Sequence, residues 1–288
     1  MTTRIAGCDL GKASARFVLA RVDEDGELAI EDVQHVFHEG DPFGRFEAWY
    51  REQQADRCAA LGATGVYAQQ LRSPSLVFPE DACQQAALER ELPAGPVTLV
   101  SVGARGYSAL ARNADGQIQY LENDKCSSGT GENVLKIAGR FGLTVEQADE
   151  LAQTAERGVP ITARCSVFTK SEMTHHANQG KPAAELFRGY FDSMVGNTRA
   201  LLARNRADGP VYLIGGCGEL GSFRRAFAVG LGAELRRPER GTLFEALGAA
   251  LLAAEGLDEG SPSKLPAAPC SPSARCSTTW TITRSTAW

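Results

Sequence analysis

The sequence predicts a two-lobed α/β protein built from a duplicated βββαβα unit, and three observations lead there. The N-terminal stretch alternates apolar runs and turn residues in the manner of a three-stranded meander. The same order of signals restarts at Val97, and the chain from there to about residue 255 is mostly helical with a short buried strand. A repeat of this size implies two similar lobes facing one another, with a cleft between them where ligands tend to bind.

The first lobe is read over residues 1–95. Strands are expected at Ile5–Leu10, Ala15–Val22 and Leu28–Val36, separated by Gly11 and by the Asp25-Gly26 turn. A helix from Phe43 to Arg57, a short strand at Gly65-Val66-Tyr67 and an alanine-rich helix from about Glu80 to Glu91 complete the unit. The second lobe, residues 96–257, opens with strands at Val97–Val102, Tyr107–Arg112 and Gln117–Leu121, with Gly103, Gly106 and Asp115-Gly116 at the turns. Thr144 and Gln147 have capping-box spacing ahead of a helix carrying Val145, Ala148 and Leu151. The longest helix is expected from about Pro182 to Arg206, where Phe187, Tyr190, Phe191, Met194, Val195, Thr198 and Leu201 recur at helical spacing. A buried strand at Val211–Ile214, a further helix and strand, and a terminal helix near Thr242–Glu255 follow. Residues 258–288, rich in Ser, Thr, Pro and Ala, read as a disordered tail, which makes Cys270 and Cys276 poor ligand candidates.

A hydrophobic fraction of 43% over 288 residues is enough for an ordinary core without staples. The net charge of −5 comes from interspersed acids and bases with no long basic run, which argues against nucleic acid or an anionic membrane as partner. No apolar stretch reaches the roughly 20 residues that span a bilayer, and Met1–Ile5 runs straight into a strand-like segment, so a cytoplasmic location is expected. In a reducing compartment the eight cysteines read as buried thiols, metal ligands or redox groups.

Several turns have the chemistry of a nucleotide site. Asp9 sits between Gly7 and Gly11 where the first strand turns into the second; a carboxylate there can hold a hydrated Mg²⁺ while the Gly11-Lys12-Ala13-Ser14 turn meets phosphate oxygens. Asp and Gly are also the commonest turn residues, and a plain turn is the alternative. Gly103 opens the corresponding turn of the second lobe, Gly129-Thr130-Gly131 suits a phosphate cradle, and Gly215-Gly216 between a strand and a helix suits an adenosine-binding turn.

Cys126, in Asn123-Asp124-Lys125-Cys126-Ser127-Ser128-Gly129, and Cys165, in Arg164-Cys165-Ser166-Val167-Phe168, have distinctive surroundings. Two thiols cannot complete an iron–sulfur site with four thiolate ligands; a second copy of the chain across a twofold axis would be required. Buried small hydrophobes are the alternative reading. Cys8, Cys58 and Cys217 read as ordinary buried thiols, His175 and His176 as a solvated pair, and Glu80 as a first-turn acid complementing its helix dipole.

Together, the Asp9 turn, the two cysteine segments, Ser171-Glu172 and Ile214-Gly215-Gly216 resemble the acetate and sugar kinase, Hsp70 and actin superfamily. Within it, residues 4–255 are most similar to the BadF/BadG/BcrA/BcrD-type ATPases, the benzoyl-CoA reductase subunits and 2-hydroxyacyl-CoA dehydratase activators. The resemblance implies an actin-like, ribonuclease H-like ATPase fold that binds ATP and Mg²⁺. It further implies that Cys126 and Cys165 each supply one ligand per subunit to a single [4Fe–4S] cluster bridging a homodimer, or a heterodimer with a paralogue. The implied partners are a ferredoxin- or flavodoxin-like donor and a CoA-thioester dehydratase or reductase that receives a low-potential electron.

At one place the sequence departs from the family pattern. Where members carry Asp-Ile-Gly-Gly-Gln-Asp, this chain has Ser101-Val102-Gly103-Ala104-Arg105-Gly106, without either carboxylate. Ser101 and Gly106 cannot replace an acid that positions Mg²⁺ or water for phosphoryl chemistry, so the departure bears on hydrolysis more than on binding. No catalytic residue is assigned from the sequence. The rival readings are a degenerate nucleotide-binding regulatory subunit and an N-acetylhexosamine-type kinase, which lacks at Ser101 the acid needed to activate an acceptor hydroxyl.

Overall fold

The computed structural model describes residues 2–71, 75–123, 130–162, 166–231 and 234–258. Cys126, Gly129, Cys165 and the expected tail from residue 259, with Cys270 and Cys276, lie outside the described residues.

Two five-stranded sheets form the frame. The first contains β1 (Thr3–Leu10), β2 (Ser14–Val22), β3 (Leu28–Phe37), β4 (Ala60–Thr64) and β5 (Leu76–Val77), in the order β3-β2-β1-β4-β5. The second contains β6 (Val97–Val102), β7 (Tyr107–Arg112), β8 (Ile118–Glu122), β9 (Val211–Ile214) and β10 (Leu235–Arg236), in the order β10-β9-β6-β7-β8. In each, the first strand pairs antiparallel with its hairpin partner on one side and parallel with a later strand on the other. A central strand covered on both faces is buried at every position, as Val97–Val102 is, with Thr98 and Ser101 interrupting an otherwise apolar run. The edge strand β3 alternates instead between half-buried and exposed positions.

The fourth strand corrects the expected one. It runs over Ala60–Thr64, buried along its whole length, and the Gly65-Val66-Tyr67 segment is the turn that leaves it, with Gly65 at φ +92°. Ala and Gly are poor strand formers, yet small residues are required here. A Cβ on Gly62 would stand 1.9 Å from the Ala249 carbonyl oxygen of the terminal helix.

The helices among the described residues are α1 (Pro42–Glu52), α2 (Glu80–Glu91), α3 (Gly131–Arg140), α4 (Val145–Thr154), α5 (Ser166–Asn178), α6 (Ala183–Leu202), α7 (Gly221–Leu231) and α8 (Phe244–Asp258). The first begins at an Asp41 cap with proline behind it and ends before residue 57, where Gln54 takes a left-handed conformation at φ +50°. It stacks Trp49 on Phe17 of β2 with ring centroids 4.7 Å apart. The capping box of α4 forms in both directions, Gln147 N–H to Thr144 Oγ1 at 3.2 Å and Thr144 N–H to Gln147 Oε1 at 2.9 Å. The long helix α6 buries Phe187, Tyr190, Phe191 and Met194 against the second sheet. It stops at Leu202, and buried Asn205 donates back to the carbonyls of Ala109 and Gln119 at 2.9 and 3.0 Å. No described helix is long and apolar enough to cross a membrane.

The last helix, α8, joins the two halves. Its Leu243 flank, Ala246, Leu247 and Ala250 pack with Ile5 and Val18 of the first sheet, while Phe244 packs with Leu99 and Ile214 of the second. Backbone contact is close: a Cβ on Gly7 would lie 2.0 Å from Ala246 O, and one on Gly248 would lie 1.8 Å from Cys83 O of α2.

Candidate functional site

Both lobes present their first hairpin to a common cleft of about 480 Å³. In the first lobe Leu10 pairs with Ala15 and Asp9 with Arg16; in the second Val102 pairs with Tyr107 and Ser101 with Ser108, in the same register. The adjoining parallel strands match as well. Asp9 lies beside Thr64 and Ser101 beside Ile214, and each of these neighbours is followed by a left-handed glycine, Gly65 at φ +92° and Gly215 at φ +83°. Glycine is required at both on two counts, because a Cβ would stand 2.4 Å from Asp9 Oδ1 at Gly65 and 2.6 Å from Val102 O at Gly215.

In the first hairpin Arg16 Nη1 donates to Asp9 Oδ2 at 2.7 Å, with the two side chains only 11% and 9% exposed. Burial pushes the Asp9 carboxyl upward and Arg16 opposes it. The turn itself is braced by buried His38. Gly40 N–H donates to Nδ1 at 3.1 Å, so a neutral ring carries its proton on Nε2 and donates to Gly11 O, also at 3.1 Å.

Two further acids enter from the first turns of α2 and α8. Glu80 reaches the cleft mouth, where desolvation, then Asp9 and Glu245, push its carboxyl up to about 7 despite the exposure of the residue. Glu245 is buried, and its Oε1 accepts from Ser101 Oγ at 3.0 Å and from Gln84 Nε2 at 3.2 Å. Burial and then Asp9 raise it, with Arg16 opposing. Lys12, Arg16 and Arg105 line the same cleft, which therefore mixes acids with cations and turn amides.

That donor set fits a nucleotide with a loosely held cation better than a protein-only metal centre. Among the described residues no three His, Cys, Asp or Glu side chains form a metal-binding group. Mg²⁺ needs only one or two carboxylates when phosphate and water complete its shell, and Arg16 engages only Oδ2 of Asp9. Gly106 has nothing within 4 Å of where a Cβ would be, and Gly103 only a carbonyl at 3.8 Å, so the second hairpin has room for a ligand against its backbone.

Of the residues expected to contact nucleotide, Asp9, Gly11, Lys12, Ala13, Ser14, Gly103 and Gly215 line the cleft. Gly216 lies behind Arg16, where a Cβ would stand 3.6 Å from Nη2. Thr130 and Gly131 lie at the start of α3, against the second hairpin, with Gly131 N–H donated to Gly103 O at 2.9 Å and Glu132 N–H to Ala104 O at 3.2 Å. Cys8, Cys58 and Cys217 are buried free thiols, and burial pushes Cys58 up to about 11 and Cys217 to about 12. His175 and His176 both contact Gln179 on the surface of α5. Sequence reasoning gave no role to Arg16 or Glu245. The available signal for Glu245 was a lone acid at the head of the apolar run Phe244–Leu252.

Two facing sheets with paired hairpins on a central cleft define an actin-like α/β fold of the kind shared by ATPases and sugar kinases. Residues 89–253 match the BadF/BadG/BcrA/BcrD ATPase family, and the chain belongs to it. It is 27% identical over 157 residues to the 2-hydroxyisocaproyl-CoA dehydratase activator of Clostridioides difficile, a match covering 54% of this chain and 59% of that protein. It is 25% identical over 252 residues to the activator of lactoyl-CoA dehydratase of Anaerotignum propionicum, covering 86% and 96% of the two chains. A solved structure of the activator of the 2-hydroxyisocaproyl-CoA dehydratase from Clostridium difficile with bound ADPNP superposes with a TM-score of 0.77 at 23% identity, over 91% of this chain and 99% of that one. At that identity the superposition speaks for the fold.

Proposed function

We propose that this chain binds ATP with Mg²⁺ in the cleft and serves as an activator or electron-transfer subunit for a CoA-thioester dehydratase or reductase. The observation that carries the reading is the convergence of both hairpins on one cleft, with the Asp9–Arg16 pair and open glycine turns facing each other. Asp9 holds a hydrated Mg²⁺ beside the terminal phosphates, and the Gly11-Lys12-Ala13-Ser14 turn and Gly103 offer amides and a cation to phosphate oxygens. Gly215 and Gly216 accept the adenosine, with Gly215 left-handed and seated against the Val102 backbone.

In the same reading Cys126 and Cys165 hold a [4Fe–4S] cluster shared with a second copy of the chain or with a paralogue. When bound, the cluster supplies one-electron, low-potential transfer. Support comes from the start of α5, directly after Cys165, where Val167 and Phe168 are 66% and 70% exposed. An adjacent exposed apolar pair of this kind suits a face covered by another protein surface. A ferredoxin- or flavodoxin-like protein is the electron donor in this scheme.

Anaerobic purification with iron and sulfide analysis and a visible spectrum tests the cluster. The expected result is about four irons per dimer, lost in the Cys126→Ala/Cys165→Ala variant. No iron after anaerobic reconstitution overturns the electron-carrier reading and leaves a nucleotide-binding regulatory subunit, which the absence of acids at Ser101 and Gly106 favours.

A further inference from the structure

We propose that Glu245 provides the carboxylate that the second hairpin lacks at Ser101, and that it orients and deprotonates the water that attacks the γ-phosphate of ATP. The inference rests on the reading of the cleft as an ATP site and deepens it.

The geometry points to Glu245 on several counts. Ser101 occupies the position in the second hairpin that Asp9 occupies in the first, by strand register and by the glycine that follows its parallel neighbour. Its hydroxyl is held at 3.0 Å from Glu245 Oε1, so a side chain remote in sequence delivers an acid to that place. Gln84 donates to the same oxygen, leaving Oε2 clear of both bonds in a residue that lines the cleft.

A purely structural role accounts poorly for this arrangement. A first-turn acid complements a helix dipole equally well when exposed, yet Glu245 is buried and is raised by Asp9 as well as by its own desolvation. Burying a carboxylate among like charges opposes folding unless a function retains it. Gln84, only 1% exposed, is held in turn at a cost, since its Oε1 has no hydrogen-bond partner among the described residues. The Gln84 amide and the Ser101 hydroxyl both donate to Oε1, and these two bonds fix the direction of the carboxylate.

In the reaction, the water oxygen bonds to the γ-phosphorus while one of its protons passes to Glu245. The bond from that phosphorus to the β–γ bridging oxygen breaks, and the bridging oxygen leaves with the electron pair as ADP. The proton then passes from Glu245 to the released inorganic phosphate. Asp9 and Arg16 stay on the opposite hairpin, where they position the nucleotide and its cation.

The test measures ATP affinity and phosphate release for the full chain, Glu245→Gln, and Glu245→Gln/Ser101→Asp. The isosteric glutamine is expected to leave ATP affinity within about twofold and to lower turnover by roughly 100-fold or more. The double variant is expected to recover at least about tenfold of that loss. The rise in rate with pH in the parent is expected to be absent in Glu245→Gln. Turnover in Glu245→Gln above about half that of the parent overturns the proposal, as does a parent that binds ATP without hydrolysing it; the ATP-site reading survives both. Failure of the parent to bind ATP overturns the site reading as well as this one.

Discussion

The two hairpins that face each other across the cleft share one backbone plan and use different chemistry. The first carries its charges within itself, with Asp9 on β1 and Arg16 opposite it on β2. The second places serines at both equivalent positions and receives a carboxylate from the start of α8. Strand register and the left-handed glycine after the parallel neighbour are common to both, so the duplication constrains the chain path while leaving the side chains free to diverge. Within such a plan a position can lose its acid and the site can regain one from a different element.

The sharpest way to break this comparison is to remove one member of the self-contained pair. Arg16→Ala leaves Asp9 buried beside Glu80 and Glu245 without its counter-ion, and a loss of about 3–5 kcal/mol is expected in denaturant unfolding. Ser108→Ala, the equivalent change in the second hairpin, removes no charge and is expected to cost about 1 kcal/mol. Equal losses would refute the division of chemistry between the hairpins.

A second test addresses what the hairpins share. Gly65→Ala and Gly215→Ala each force a left-handed φ on a residue with a Cβ and drive that atom against a backbone or carboxylate oxygen. Losses of about 2–3 kcal/mol are expected for both. A large loss at one glycine with none at the other would show that the two turns are not equivalent.

The most gradual effect is a pH slope. A buried acid whose pKa is raised on folding keeps a proton that the unfolded chain has already released, so its contribution to stability falls as pH rises from the unfolded value of about 4.5. The parent is therefore expected to lose stability relative to Glu245→Gln as pH rises from about 4.5 toward neutrality, by no more than about 1.4 kcal/mol per pH unit. Parallel curves for the two proteins would show that Glu245 is not perturbed by burial.

Much of the fold was legible in the sequence, because strands and caps are written locally. The six meander strands, the α4 capping box and the helix after Pro182 fall where pattern and cap residues put them. The strand at Ala60–Thr64 was missed because its residues were chosen by the closeness of α8, and an Ala-Gly run has no strand signature of its own. The site divides the same way. Asp9 and the turns at Gly11, Gly103 and Gly215 were readable as motifs, and these residues line one cleft, whereas Thr130, Gly131 and Gly216 do not line it. The roles of Arg16 and Glu245 depend on partners across a hairpin and across the fold, and no local pattern encodes a contact between residues 101 and 245.

The seating of α8 has a mechanical consequence. Gly7, Gly62 and Gly248 leave less than a methyl group of clearance between the helix and β1, β4 and α2, so the body of α8 cannot slide on the first lobe. Its leading turn is nevertheless tied to the second lobe through the Ser101 hydroxyl. A displacement of one sheet against the other would therefore load the Ser101–Glu245 bond together with the packing of Phe244 on Leu99 and Ile214, so the polar and the apolar halves of that turn resist it jointly.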